Sequence, residues 1–182
     1  MAQKVLFQTL ADRDNADFVE ENAPFICENA KAWLGNGYYF WDTFIENAHW
    51  WGEQVHSGKY IICKFRCDFD DRCFDLVGNT EHMQALDLVI REMQRKLKID
   101  LDTTTVRRIL EFFKQKIGFD FEAIRVSGIN SKSGSNYIFR LKFNYDKPQY
   151  LDYKPAIQIC IYTKKGLNLR NCKIVHPEEY VW

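Results

Sequence analysis

The sequence LGNGYYFWD, residues 34–42, joins two closely spaced glycines to a run of aromatic side chains. Closely spaced glycines favour a turn. Tyr38 to Trp41 have high β propensity, so the segment predicts a turn that leads directly into a short aromatic strand. This turn and strand are the most distinctive local structure that the sequence predicts.

The apolar residues after Thr43 recur at the spacing of one helix face. They are Phe44, Ala48, Trp51 and Val55. The pattern predicts that these side chains form the buried stripe of a helix. At about 100° per residue Trp50 points well away from that stripe, so we expect its ring to face something other than the core.

The remaining pattern predicts an α+β fold, with strands towards both ends of the chain and helices between them. An acidic, polar stretch at 12–22 predicts a loop. The predicted strands cover residues 4–10, 59–69, 74–77, 121–127, 137–144, 156–163 and 173–175. Two further amphipathic helices lie between 81 and 118, the second with Asp102 or Thr103 as its N-cap and Gly118 at its end. A turn is predicted at 131–135, and without a repeat or a Pro/Gly-rich linker we expect one domain over residues 1–182.

The composition is that of a globular protein, and it disfavours two classes of partner. Apolar residues make up 46% and charged residues 27% of the 182 residues. Lys plus Arg equals Asp plus Glu, at 25 each, so the formal net charge is zero. This balance disfavours nucleic acid as a partner, because a strongly basic domain would be expected for it, although a local basic patch is compatible with it. No apolar run approaches the roughly 18 residues that would span a membrane, so no membrane partner is predicted.

The cysteines and the first residues of the chain predict a cytoplasmic protein. The stretch from Met1 to Phe7 has neither the long apolar run nor the cleavage pattern of a signal peptide. None of the six cysteines forms a C-x-x-C pair, so we expect reduced thiols in or near the core. The local group Cys63, Cys67 and Cys73 fits side chains of a strand better than a metal site, and no metal is predicted.

The segment from Leu34 to Trp50 resembles the central motif of the poly(ADP-ribose) polymerase and diphtheria-toxin branch of the ADP-ribosyltransferase superfamily. In that family a glycine pair, an aromatic strand and a helix with the pattern S-A-x-Y open the NAD site. The residues that match here are 34–42 and then Asn47, Ala48, His49 and Trp50, with no gap. The resemblance implies an ADP-ribosyltransferase-like split β-sheet core with an NAD cleft. The helical stretch at about 81–118 matches nothing specific in the family and is expected to be an insertion.

The resemblance also implies which side chains would hold NAD. Tyr39 and Trp50 take the positions of the two rings that sandwich the cationic nicotinamide, which aromatic faces attract, and Gly37, the second glycine of the turn, is assigned to NAD binding with them. The family's first motif is a histidine on an early strand that binds the adenosine ribose, and here either Phe7 or Gln8 takes its position. We prefer Gln8, because its amide can both donate to and accept from ribose hydroxyls. Thr9 would then supply the backbone contact to the carboxamide.

The last family motif is a glutamate on a late strand that stabilises the developing oxocarbenium ion. The matching strand is AIQICIY, residues 156–162, and its polar residue is Gln158. A neutral glutamine can hold a ribose hydroxyl, but it does not supply the negative charge that favours a cation-like transition state. The implied catalytic residues are therefore Gln158 and Tyr39.

Two functions of different classes follow from this resemblance. The first is an NAD-dependent ADP-ribosyltransferase or NAD glycohydrolase, a glycosyltransferase-type enzyme that transfers ADP-ribose to an unknown macromolecular acceptor, protein or nucleic acid, or to water. The second is a catalytically inactive module that binds a nucleotide, a nucleic acid or a protein, which the neutral Gln158 favours. Transfer of a 2′-phosphate from RNA to NAD is disfavoured, because the early histidine is missing. By analogy of fold alone, a toxin or defence effector fits a small domain of this kind.

Overall fold

A mixed β-sheet of seven strands forms the centre of the structure, a computed structural model that describes residues 2–128 and 136–181. The strands of this sheet are β1 (Ala2–Ala11), β2 (Tyr38–Asp42), β3 (Tyr60–Phe69), β4 (Cys73–Asp75), β5 (Ala123–Ser127), β8 (Ile157–Ile161) and β9 (Arg170–His176). Between β5 and β8 in the chain, β6 (Arg140–Lys142) and β7 (Tyr150–Asp152) form a separate two-stranded sheet. The helices are α1 (Ala16–Asn22), α2 (Ile45–His56), α3 (Thr80–Leu97) and α4 (Val106–Phe112). The predicted α+β class is confirmed.

The sheet has two wings that meet at a narrow junction. The strand order is β4-β5-β8-β2-β1-β3-β9, and all neighbours are antiparallel except β4 and β5. β1 pairs with β3 over ten residue pairs, but with β2 only through Leu6 with Asp42 and Phe7 with Trp41. One wing is therefore β4-β5-β8-β2 and the other is β1-β3-β9, with the aromatic strand β2 at the junction.

Helices α2, α3 and α4 pack on one face of the sheet, here called the helix face, and α1 packs on the other, the opposite face. Because side chains alternate along a strand, neighbouring residues of β1 point to different faces. On the helix face, Phe7 and Trp41 pack with Ala48 and Trp50 of α2. A second cluster on that face joins β4, β5 and β8 to α3 and α4; its members include Phe74, Ile124, Cys160, Val89, Met93 and Leu110. On the opposite face, Leu6, Phe40 and Ile159 pack with Val19 of α1.

The long helix pair lies in the chain where the helical insertion was expected. α3 and α4 both fall between β4 and β5, and α4 continues into a π-helical turn, Phe113–Ile117. The side chain of Asn79 caps α3 by accepting hydrogen bonds from the backbone N–H groups of Glu81 and His82. None of the described helices, α3 included, is both long and apolar enough to cross a lipid bilayer.

Three local predictions were wrong. The stretch 12–22 is not all loop, since it contains the seven-residue helix α1. The buried residue of this helix is Val19, and one buried residue produces no periodic apolar pattern. The N-cap of α4 is Thr105, since 101–103 form a separate 3₁₀ turn capped by Asp100. The strand predicted at 137–144 shrinks to β6, whose partner β7 was not predicted; both present exposed side chains, so no burial pattern marks them. The turn predicted at 131–135 lies outside the described residues.

The buried side of α2 also differs from the prediction. Trp50 is only 4% exposed, whereas Trp51 and Val55 of the predicted stripe are 37% and 48% exposed. The reason is a line of small residues: Ala48 is fully buried, and a Cβ on Gly52 would lie 2.4 Å from the ring of Tyr60. The helix therefore approaches the sheet most closely along Ala48 and Gly52, and this brings Trp50 down onto the sheet. Hydrophobic periodicity does not predict this contact, because Gly52 has no side chain that would count as apolar.

Candidate functional site

Strand register places four of the relevant side chains in one row across the sheet. Phe7 of β1 lies opposite Trp41 of β2, Trp41 lies opposite Gln158 of β8, and Gln158 lies opposite Val126 of β5. Residues directly opposite each other in a sheet point to the same side, and Phe7 points to the helix face. Gln158 and Trp41 therefore share that face, at the junction of the two wings.

A parallel row, two residues along the strands, carries Tyr39. Tyr39 lies opposite Cys160, and Cys160 lies opposite Ile124. Tyr39 packs with the cluster under α3 and α4, whereas Trp41 packs with the cluster under α2. We call the strip formed by Tyr39, Trp41, Gln158 and Cys160 the seam, because it lies where these two apolar clusters meet.

The amide of Gln158 is held by an indole from a preceding loop. Gln158 is 7% exposed, and its Oε1 accepts a hydrogen bond of 3.0 Å from Nε1 of Trp33. The ring of Trp33 also lies 3.4 Å from the position of a Cβ on Gly128. Sequence reasoning missed Trp33, although it directly precedes the glycine turn. The polar residue predicted in the late strand therefore does have a hydrogen-bond partner, as a buried amide requires.

Tyr39 fastens the glycine turn to the aromatic strand. Its hydroxyl accepts from the backbone N–H of Leu34 at 2.9 Å and donates to the carbonyl of Gly35 at 2.7 Å. Burial raises the pKa of Tyr39 above its usual value, because the buried site disfavours the phenolate. The hydroxyl therefore stays protonated at neutral pH and acts as a donor to the turn.

The two glycines of the turn are needed for different reasons. Gly35 has a φ of +89°, a backbone conformation that favours glycine. Gly37 has an ordinary backbone, but a Cβ there would lie 2.5 Å from Sγ of Cys160 and 2.9 Å from the carbonyl oxygen of Ile161. The aromatic strand can therefore pair with β8 at this point only because Gly37 has no side chain. Gly37 thus positions Tyr39 beside Cys160.

Trp50 lies on the α2 side of the seam, inside a group of tryptophans. Its ring meets the ring of Trp41 edge-on, with centroids 5.9 Å apart, and lies 6.0 Å from the ring of Trp51. Within the described part of the chain, Trp50 and Tyr39 belong to separate clusters and make no ring contact with each other. The two rings predicted to face one another are therefore separated by Trp41, and Trp50 is a core residue of the α2 cluster.

The side chains of Gln8 and Thr9 lie on different faces of the sheet. Gln8 points to the opposite face, where its Oε1 accepts from the N–H of Phe25 at 2.9 Å and its Nε2 donates to the carbonyl of Phe25 at 2.8 Å. Thr9 points to the helix face and donates its hydroxyl hydrogen to the carbonyl of Ala48 at 2.9 Å. Of the two residues considered for the family histidine, the register brings Phe7, not Gln8, beside Trp41 and Gln158.

The seam carries no ionised side chain among its defining residues. Burial raises the pKa of the Cys160 thiol to about 12, so this group is neutral. Asp42, the acid of the glycine-aromatic motif, points to the opposite face, where it binds Lys4 at 3.0 Å and Arg125 at 2.8 Å. Asp75 completes that network with a 3.0 Å contact to Arg125. The seam can therefore bind through aromatic faces and neutral hydrogen-bonding groups.

Helix α2 is also tied to the start of β8 near the seam. Asn47 is fully buried, and its Nδ2 donates to the carbonyl of Pro155 at 3.0 Å. No protein-family model, curated protein or solved structure matches the chain.

Proposed function

We propose that the seam binds the nicotinamide end of NAD and that the chain cleaves the nicotinamide–ribose bond, passing ADP-ribose to a macromolecular acceptor or to water. The observation that carries this proposal is the single row of Phe7, Trp41 and Gln158 on the helix face, with Tyr39 two residues away on the same strand. Of these residues, Tyr39 and Gln158 are the ones that the resemblance to ADP-ribosyltransferases implies, and Phe7 is the alternative to Gln8.

In this proposal the ring of the nicotinamide enters the seam against Tyr39. A cationic ring is attracted by aromatic faces, most strongly by indole. Trp50 would have to move away from Trp41, which it now contacts edge-on, to offer its face to the ligand. Gln158 would exchange its bond to Trp33 for one to a ribose hydroxyl, since an amide oxygen can accept either donor.

The proposed reaction breaks the bond between the anomeric carbon and the nicotinamide nitrogen. The electron pair of that bond goes to the ring, which leaves as neutral nicotinamide. An oxygen or nitrogen of the acceptor, or a water oxygen, forms the new bond to the anomeric carbon and loses its proton to solvent. The neutral Gln158 orients the ribose in this scheme but supplies no charge to the transition state.

A second candidate is a module that binds NAD or a related nucleotide without cleaving it. The observation that favours it is the state of Gln158, which is neutral, buried and already bonded to Trp33. Loss of a preorganised electrostatic group costs on the order of 10²–10³ in rate in other enzymes. A domain with this substitution can therefore retain the binding surface while it loses the reaction.

Calorimetric titration with NAD, together with chromatographic detection of free nicotinamide, tests both candidates. Binding with release of nicotinamide supports the enzyme, and binding without release supports the module. No heat of binding at millimolar NAD would overturn both. Trp50→Phe and Trp51→Phe form a matched pair of variants, because the two residues are adjacent but only Trp50 is buried beside the seam. We expect NAD binding to weaken roughly tenfold in the first and to be unchanged in the second.

A further inference from the structure

A groove with an unusual concentration of positive charge runs along the β1-β3-β9 wing. It has a volume of about 730 Å³ and is lined by β3, β9 and the segment after β9. Its basic side chains are Lys64, Arg66 and Lys173, and the set of lining residues contains no Asp or Glu. The chain as a whole has zero net charge, so this is a local excess.

The three cations of the groove differ from the other three Lys and Arg residues of the seven-stranded sheet because none of them is in an ion pair. Elsewhere on the sheet, Lys4 and Arg125 bind Asp42, and Arg170 binds Asp68. For Lys64, Arg66 and Lys173 the described part of the chain offers no carboxylate within ion-pair distance. Their charge is therefore available to an external anion.

Strand register sets the spacing of these charges. Lys64 lies directly opposite Lys173, and Arg66 lies two residues further along β3 on the same face, roughly 7 Å away. Lys64 also lies opposite Phe7, so the groove is on the helix face, on the side of Phe7 away from Trp41. The charges thus form a short track on two adjacent strands.

We propose that this groove binds the phosphodiester backbone of a single-stranded nucleic acid. A positively charged groove that follows the backbone is the common element of proteins that bind single strands without sequence preference. Val175 and Val181 also line the groove and give apolar surface for sugar or base edges. This proposal does not depend on the seam or on NAD.

The shape of the groove favours a single strand over a duplex. Duplex DNA is read by an element that projects into its major groove, such as an α-helix or a β-ribbon. Here the cations line a recess in a sheet face. A flexible single strand can be laid into such a recess along its length, whereas a rigid duplex brings to it only the phosphates of its convex outer surface.

Fluorescence anisotropy of a labelled 12-nucleotide oligothymidylate, without NAD, tests the proposal. The groove variant is K64Q/R66Q/K173Q, and the matched control is R13Q/K116Q/K165Q, which removes three exposed cations outside the groove. Three phosphate contacts predict a slope of log binding constant against log salt of about −2 for the wild type and for the control, and near zero for the groove variant. Between 50 and 200 mM salt this corresponds to a loss of roughly 20-fold in wild-type affinity.

Four outcomes would overturn the proposal. Two concern the oligothymidylate itself: no binding at low salt, or equal affinity for the groove variant and the control variant. The other two concern its specificity: equal affinity for the oligothymidylate–oligodeoxyadenylate duplex and for the single strand, or displacement of the single strand by poly-glutamate of equal charge. Circular dichroism reports whether the variants fold. Should the triple variant unfold, R66Q and K173Q, at two exposed positions, each test the proposal alone, with an expected change in salt slope of about 0.7. A negative result with the oligonucleotide does not contradict NAD binding at the seam, because the two experiments use different ligands.

Discussion

The two faces of the sheet use the glycine-aromatic strand in opposite ways. On the opposite face, Asp42 joins Lys4 and Arg125 in a buried ionic network that extends to Asp75. On the helix face, Trp41 of the same strand lies opposite the neutral Gln158 and contacts the rings of Trp50 and Trp51. One short strand thus places its charge where it supports the fold and its neutral aromatic surface where a ligand is proposed to bind.

This division has a physical basis in desolvation. A buried carboxylate is tolerated only with close partners of opposite charge, and loss of one partner leaves an uncompensated charge. Neutral groups such as the Gln158 amide can exchange one hydrogen-bond partner for another at a much smaller cost. We therefore expect substitutions on the opposite face to change the free energy of unfolding, and substitutions at the seam to change the binding or cleavage of NAD.

The largest expected effect is on the stability of the opposite face. Asp42→Ala leaves Lys4 without its partner and removes one of two carboxylates from Arg125, so we expect a loss of about 3–5 kcal/mol in the free energy of unfolding. Urea denaturation followed by tryptophan fluorescence measures it. Asp71→Ala, at an exposed position, is the control and should change stability by less than about 0.5 kcal/mol. Equal losses in the two variants would contradict the role of the network.

At the seam the expected effect is on chemistry. Gln158→Glu introduces a carboxylate where the proposed reaction develops positive charge, so under the proposed enzyme we expect nicotinamide release to rise by about 10². Gln158→Leu should abolish it. The measurement is the initial rate of nicotinamide release at saturating NAD. A fall in rate in the glutamate variant, with NAD binding retained, would contradict the assignment of Gln158 to the reacting ribose.

The sequence predicts the parts of this contrast that depend on neighbouring residues in the chain, but not those that depend on residues far apart in it. Alternating apolar residues and the glycine turn predict β1, β2, β3 and β8, because those signals are local. The partner of Gln158 is Trp33, 125 residues away, and no local pattern indicates that contact. The face to which Gln8 points follows from the pairing of Phe7 with Trp41, which only the assembled sheet defines. Burial of Trp50 depends on Gly52, which hydrophobic periodicity does not count.

Gln8 gives a smaller test of the opposite face, without ions. Gln8→Ala removes two hydrogen bonds and leaves the backbone N–H and carbonyl of Phe25 without these partners, so we expect a loss of about 2 kcal/mol in the free energy of unfolding. Gln54→Ala, exposed on α2, serves as the control. NAD affinity should not change in either variant. A loss of NAD affinity in the Gln8 variant at full stability would instead support the original assignment of Gln8 to ribose.

The smallest expected effect concerns a pair of histidines at the far end of the helix face. The rings of His49 and His176 meet edge-on at 4.8 Å, and Nδ1 of His49 lies 3.0 Å from the hydroxyl of Tyr60. Burial lowers the pKa of both imidazoles, and the neighbouring His176 lowers the pKa of His49 further. Both rings are therefore neutral at pH 7.

The sign of the resulting pH dependence follows from proton uptake. Above the ordinary histidine pKa of about 6.5 neither the folded nor the unfolded chain is protonated at these rings, and stability is full. As the pH falls below that value, the unfolded chain binds protons that the folded chain does not, so the free energy of unfolding decreases down through the lowered pKa values. Urea denaturation in steps from pH 7.5 to 5 measures this slope. The H49Q/H176Q variant should show a flatter slope, although not a flat one, because burial also lowers the pKa of His56. An unchanged slope would place the pH sensitivity elsewhere, outside this histidine pair.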